Sequence, residues 1–287
     1  MPLTALGGDA GTVTVGDVTL GLFPQPLHPN VMAYVAAQTA NGYSPSRARV
    51  DALNNLVWGL VGSGLWDLCD VIYPFLGGTT GAAQKWNIKN VADTTAAFTI
   101  NWVLPSNITF SESGVQSNAT AGTYGNTFYT PNINQANTNS VHLSAYMNTL
   151  TTLSPSAIMG SGASGQPAHQ IARITGGAFI FGNANSSNSL YMQGLAPSTG
   201  FYMPVRTGAT TNAFYRNGVN VASTNTNAGV SVPTVPIWLL NRSGAGGASP
   251  MNGKIAFASL GAGMTAQQAR DFYTIVQTYQ TALGRQV

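Results

Sequence analysis

Hydrophobic and polar positions change their period twice along this chain of 287 residues. Between about 30 and 76 the apolar residues recur at three- and four-residue steps. Val50, Leu53, Val57 and Leu60 give one face of a helix. Asn30 is placed to cap a first helix that runs through Val31, Tyr34 and Val35 and stops at Asn41-Gly42. Ser44 with Pro45 at the first helical position opens the second, and Gly62-Ser63-Gly64 breaks it. A third short helix is predicted over 65–73, ending at Pro74, with Trp66, Leu68, Cys69 and Ile72 toward the core. The single cysteine then reads as a small buried hydrophobe.

From about 84 to 263 the helical period is gone. Short β-branched and aromatic runs at 98–102, 141–147, 171–174, 178–181, 200–205, 213–215, 236–240 and 254–260 are separated by Asn, Gly, Ser and Pro clusters. Many short strands at even spacing predict a sandwich or jelly roll. Asn217-Gly218, between Phe214-Tyr215 and Val219, is a type I′ hairpin signal. The helical period returns at the end. Thr265 to Gln268 reads as a capping box, Phe272, Ile275, Val276, Tyr279 and Leu283 share a face expected to pack on the sandwich's edge or convex side, and Gly284 is the stop. At the other end, Val13, Val15, Val18 and Leu20 alternate among glycines before Pro24, Pro26 and Pro29, which predicts an extended arm. The chain thus divides into an arm at 1–27, a helical attachment or oligomerisation region at 28–83, and a jelly-roll domain with its C-terminal helix at 84–287.

Composition narrows the function. Charged residues are only 7% of the chain, against about a quarter in an ordinary soluble domain, while 44% hydrophobic residues fill a core. The surface is left to Gly, Ala, Ser, Thr and Asn, which suits a protein held in an assembly or facing the outside. A formal charge of +3 from eleven basic and eight acidic residues leaves no basic stripe for nucleic acid. No apolar run reaches the roughly 18 residues of a membrane helix. The opening Met1-Pro2-Leu3-Thr4 lacks the basic region of a secretory leader, and one cysteine makes no internal disulfide.

Several motifs resemble the concanavalin A-like, laminin G-like jelly roll. They are the 140–147 strand around His142 and Leu143, the Ala213-Phe214-Tyr215-Arg216-Asn217-Gly218-Val219 hairpin, and Trp238-Leu239-Leu240-Asn241-Arg242 leading to Asn252-Gly253-Lys254-Ile255-Ala256-Phe257-Ala258. Gly261-Ala262-Gly263-Met264-Thr265 before the last helix completes the order, and the resemblance covers about 95–287. The N-terminal Gly64-Leu65-Trp66-Asp67, then Tyr73-Pro74 and Trp86-Asn87-Ile88-Lys89, is similar to a module that precedes a jelly roll in bacteriophage and prophage structural proteins. That resemblance implies a fibre, spike or decoration protein on a virion surface. It would meet other virion proteins through the arm and helices, with Val13, Val15, Val18, Leu20 and Trp66 as candidate contacts, and form a homo-oligomer, a trimer for a fibre or spike.

Catalytic chemistry finds no residues. A glycoside hydrolase needs two carboxylates about 5–9 Å apart, but the only glutamate is Glu112, and no acidic residue lies between it and Asp271. The same gap argues against a calcium site, and His28, His142 and His169 lack ligand neighbours at metal spacing. Gly160-Ser161-Gly162-Ala163-Ser164-Gly165 has no lysine and no following helix, so it is not a phosphate loop. Catalytic residues, metal and cofactor are accordingly expected to be none. Binding is better served, because sugars are held by aromatic faces and by amide and hydroxyl groups. Asn183, Asn185, Asn188 and Tyr191, then Tyr202, Arg206 and Asn212, are the candidate glycan contacts. The expectation is a non-enzymatic virion surface protein whose jelly roll meets bacterial surface polysaccharide. The alternatives are a purely structural decoration or scaffold protein and a secreted glycan-active enzyme.

Overall fold

The helix-to-strand switch in the sequence becomes a change of layer in space. A computed structural model describes residues 12–15, 18–21, 25–150, 156–162, 168–173, 180–186, 189–192, 199–224, 232–244 and 249–287. Near the N-terminus β1 (Thr12–Val15) pairs with β2 (Val18–Gly21) as an antiparallel hairpin. Next come α1 (Pro29–Ala40), α2 (Arg47–Gly62) and β3 (Cys69–Tyr73). The sandwich follows with β4 (Asn101–Val103), β5 (Ile108–Ser111), β6 (Gly114–Asn118), β7 (Tyr124–Asn126), the single turn α3 (Pro131–Asn134), β8 (Val141–Leu150) and β9 (Ser156–Ser161). It continues through β10 (Ala168–Arg173), β11 (Ile180–Ser186), β12 (Leu190–Met192), β13 (Gly200–Arg206), β14 (Asn212–Arg216), β15 (Val219–Thr224), β16 (Trp238–Leu239) and β17 (Asn252–Gly261), and α4 (Ala266–Ala282) closes it.

Two antiparallel sheets face each other in a mainly β, jelly-roll type sandwich. One runs β12-β11-β10-β9-β16-β7-β4. The other runs β15-β14-β13-β8-β17-β6-β5, with β3 also paired to β17. Leu143, Ala145, Met147, Tyr202, Phe214 and Ile255 of the eight-stranded sheet meet Ile158, Ile171, Ile180 and Leu239 of the seven-stranded one. The eight-stranded sheet has a second buried face. There Tyr146, Phe201, Met203 and Phe257 pack under Leu53, Val57 and Leu60 of α2 and Phe272, Val276 and Tyr279 of α4. Burial on both sides is why all seven residues of β13 are interior. Each large apolar side chain so buried contributes about 1.5–3 kcal/mol.

Several local expectations hold. Asn217 and Gly218 both have positive φ, 49° and 73°, as a type I′ turn requires. The Thr265 and Gln268 side chains cap each other's backbone reciprocally, and Gly284 follows α4 at φ 66°. Cys69 is buried. The last helix lies across the helix-covered face of the eight-stranded sheet.

Others are corrected. The residue that caps α1 is His28, whose Nδ1 accepts from the Asn30 backbone, while the Asn30 amide instead donates to Ile88 O and Lys89 O. Helix α2 begins at Arg47 after Ser46, later than the Ser44-Pro45 pair indicated. The predicted helix over 65–73 is a 3-10 turn at Trp66–Leu68 followed by strand β3. Val71, Ile72 and Tyr73 favour extended backbone, and β17 offers a free edge beyond β6. Its first half pairs with β6, and its second half takes Tyr73 on Ala258, Ile72 on Ser259 and Val71 on Leu260. Gly261 permits the close approach, since a Cβ there would lie 2.1 Å from Leu68 O. Helices α1 and α2 and strand β3 contribute residues to the core.

Polar residues between the layers are tied off internally. His142 Nδ1 donates to Ala262 O at 2.6 Å, Nε2 accepts from the Ser259 hydroxyl at 3.0 Å, and Ser144 Oγ lies 2.7 Å from Ser259 Oγ. Burial holds His142 down to about 4, and His169, against the His142 backbone, to about 3. Both are neutral in the folded state at pH values where the unfolded chain protonates. Stability is therefore complete above the unfolded value of 6.5 and is lost as pH falls toward 4. The loss from His142 alone is on the order of 3 kcal/mol. Urea unfolding at pH 7, 5.5 and 4 is expected to show this decline. A second expectation concerns the β3–β17 junction: Gly261→Ala overpacks it and costs about 1–3 kcal/mol in the same assay at pH 7.

Candidate functional site

On the face of the seven-stranded sheet turned away from the sandwich core, β9 and β10 are buried throughout and β11 is buried except at Phe181, so Tyr124, Phe181, Tyr191 and Trp238 are the aromatic side chains there that keep some exposure. Met159, Ile171, Ile180 and Leu239 point into the sandwich. Their neighbours in register therefore point out: Trp238 pairs with Gly160, Gly160 with Gln170, Gln170 with Asn183, and Phe181 with Tyr191. Tyr124, two residues before the Asn126 partner of Trp238, lies on the same side. The rings of Tyr124 and Trp238 stack with centroids 3.5 Å apart and planes 5° apart, and Phe181 and Tyr191 meet at 5.7 Å. Gly160 keeps the space between Trp238 and Gln170 low, because a Cβ at that position would lie 2.3 Å from Gln170 Cβ.

A relay of polar groups joins the two aromatic pairs. Arg242 Nη1 donates to Gln170 Oε1 at 3.0 Å, and Gln170 Nε2 donates to Asn183 Oδ1 at 3.2 Å. Ser189 Oγ donates to the same oxygen at 3.3 Å, and Asn183 Nδ2 donates to Ser186 O at 3.1 Å. Two donors here, Trp238 Nε1 and Arg242 Nε, are buried without a partner. Partial burial lowers Arg242 from the usual guanidinium range. None of the seven strands contains Asp or Glu. Elsewhere Asp51 pairs with Arg47, Asp93 with Lys85 and Glu112 with Arg49, and Asp70 accepts from the Tyr129 hydroxyl at 2.7 Å. No group of three His, Cys, Asp or Glu residues suited to a metal occurs among the described residues.

The structure separates the sequence-predicted contacts. Tyr191 is 44% exposed and Asn183 sits on the outward face, although only 3% exposed beneath its hydrogen bonds. Asn188 lies outside the described residues. The other four are interior, which corrects the expectation that they meet a ligand. Asn185 donates to Gln135 Oε1 at 2.6 Å and to Thr138 O at 3.0 Å. Tyr202, fully buried, packs against Phe214 at 6.3 Å between the sheets. Arg206, also fully buried, donates through Nε to Ala184 O and through Nη1 to Ala209 O, with Asn212 directly across the ladder. For Asn185, Tyr202 and Arg206 the opposing sheet or a loop closes over a position that local pattern leaves open. Trp66 is half-buried, with Lys89 Nζ 4.2 Å over its ring and His28 at 5.6 Å. Val13, Val15, Val18 and Leu20 belong to the β1–β2 hairpin, and their side chains lie outside what is described. His142 and His169, remote in sequence, are neighbours across the sandwich. Tyr124, Gln170, Phe181, Trp238 and Arg242 are not among the sequence-predicted contacts. Their signal in the sequence was alternation with the inward residues Leu239 and Ile171.

No protein-family model matches the chain, and no curated protein matches it significantly. Among solved structures it is similar to Trypanosoma rangeli sialidase in complex with 2,3-difluoro-KDN, over 78% of this chain and 39% of the sialidase, at 11% identity and TM-score 0.47. It is also similar to domain 4 of AbnA, a GH43 extracellular arabinanase from Geobacillus stearothermophilus, in complex with arabinotriose. That match spans 71% of this chain and 97% of the domain at 16% identity and TM-score 0.42. A third is the Ruminococcus gnavus IT-sialidase CBM40 bound to alpha2,3 sialyllactose, spanning 45% and 79%, at 11% identity and TM-score 0.33. The chain thus spans well under half the length of the sialidases it matches.

Tyr191 and Tyr202, both candidate contacts by sequence, are expected to behave differently. Tyr202→Ala empties a closed core site and costs about 3–5 kcal/mol of stability. Tyr191→Ala, at the exposed edge, stays within about 0.5 kcal/mol. Chemical unfolding of the two variants beside the parent protein checks both.

Proposed function

We propose that this protein is a non-enzymatic surface component of a phage or phage-like particle, and that the outward face of its seven-stranded sheet binds a bacterial surface glycan. The observation that carries the binding role is the pairing of two partly exposed aromatic platforms, Tyr124–Trp238 and Phe181–Tyr191, with a buried polar relay between them on the face of the seven-stranded sheet turned away from the core. Aromatic planes receive the C–H faces of sugar rings, and flanking amides and the guanidinium donate to ring hydroxyls. Strands without carboxylates favour holding a sugar over hydrolysing it, because glycosidic cleavage by the two-carboxylate route needs an acid and a base or nucleophile. The charge-poor coat and the N-terminal likeness to phage structural modules favour a virion location. The hairpin and helical region would supply attachment to other virion proteins or trimer formation.

The test is calorimetric titration of the full chain with bacterial capsular polysaccharides and lipopolysaccharides. Saturable binding is expected, weakened at least about tenfold by Trp238→Ala, the loss of a stacking platform worth about 1.5 kcal/mol or more. Trp238→Phe, which retains a ring, should recover part of it. Absence of binding by the folded protein would leave the purely structural decoration role. Release of shorter saccharides during incubation would overturn the non-enzymatic assignment.

A further inference from the structure

Arg242 stands out on the proposed binding face for its lack of an anionic partner. It is half-buried, no residue of the seven strands is acidic, and the described carboxylates nearest in sequence, Glu112 and Asp271, are engaged with Arg49 and Gln267. Desolvating a cation without a counter-charge is costly. Its orientation is nonetheless held: Nη1 is anchored on Gln170 Oε1, and Gln170 is anchored in turn on Asn183. This anchoring uses one corner of the guanidinium and leaves the Nε and Nη2 edge without an acceptor among the described residues, with Nε buried and unpartnered. A carboxylate reaching that edge would meet two parallel N–H groups, the geometry that receives both of its oxygens. The backbone brings Arg242 beside the aromatic platform. Ser243 N donates to Gly160 O at 3.2 Å, and Gly160 is the register partner of both Trp238 and Gln170. Trp238 Nε1 is a second buried donor without a partner there.

We infer that the glycan taken by this face is acidic, and that Arg242 receives the carboxylate of a sugar acid while Trp238 and Tyr124 support the ring. The inference rests on the glycan-binding reading and adds to it the class of sugar. Gln170 and Asn183 are then positioning residues that hold the guanidinium edge-on, and they need not touch the ligand.

The experiment uses the full chain and a panel of carboxylate-bearing bacterial polysaccharides, each in its native form and with the carboxyl groups chemically reduced to alcohols. Binding is followed by calorimetry and tryptophan fluorescence at low and high salt. The native form is expected to bind at least about tenfold more tightly than its reduced counterpart, as a bidentate charged pair demands, with the gap narrowing as salt rises. Arg242→Gln should abolish the gap while leaving the weaker binding of the reduced form in place. Arg242→Lys, which retains the charge without the fork, should keep only part of it. Equal binding of native and reduced forms, or a gap that survives Arg242→Gln in a variant of unchanged melting temperature, overturns the inference and leaves glycan binding intact. Failure of the folded parent protein to bind either form across the panel overturns both.

Discussion

Burial of the eight-stranded sheet on both faces is the constraint from which the rest of this structure follows. Strands β8, β13 and β17 lie between the helix layer and the second sheet, so every side chain on them must either be apolar or find a partner inside. Phe201 and Phe257 meet the helices, and Tyr202 and Ile255 meet the other sheet. His142, Ser144 and Ser259 satisfy one another where the ladder brings polar groups together. The chain end is recruited to the same task. The Arg285 guanidinium, buried and 5.4 Å from the Tyr279 ring, donates to Phe75 O at 2.7 Å and to Ala256 O at 3.3 Å, joining the tail to the sheet and to the segment after β3.

This arrangement divides the two sheets by role. The eight-stranded sheet is spent on stability, since its outer face is paved by α1, α2 and α4. On the outward face of the seven-stranded sheet Tyr191 is exposed and Tyr124, Phe181 and Trp238 are half-buried, above buried amides of Gln170 and Asn183. The short strand β16 matters beyond its two residues. It lies between β7 and β9, puts Leu239 into the core and Trp238 outside, and delivers Arg242 to Gln170. A single register thus ties core packing to the position of the platform and its cation. A slip by one residue would exchange Trp238 with Leu239 and dismantle both.

The low charge content acquires a structural meaning in this light. Among the described acids, Glu112 pairs with Arg49 and Asp70 accepts from Tyr129. The sandwich beyond them is electrostatically quiet. Arg206, Arg242 and Arg285 are each desolvated there, and burial weakens the screening of their charges.

What the sequence by itself determined were the features governed by neighbours along the chain. These include the helical period of α2 and α4, the Thr265–Gln268 cap, the Asn217-Gly218 turn, the strand-rich middle of the chain and the lack of acids within it. Each depends on backbone geometry over a few residues, so local pattern suffices. Tertiary structure decided the remainder. Residues 69–73 became a strand because β17, nearly two hundred residues away, has an edge to fill. Tyr202 and Arg206 went inside because the opposing sheet and its loops close over them, whereas Trp238 and Arg242, on the far side of the other sheet, are only half-buried. A strand alternates its side chains between two faces, and the alternation is local. Which face water reaches is set by the layer packed against it, and that layer is assembled from distant parts of the chain.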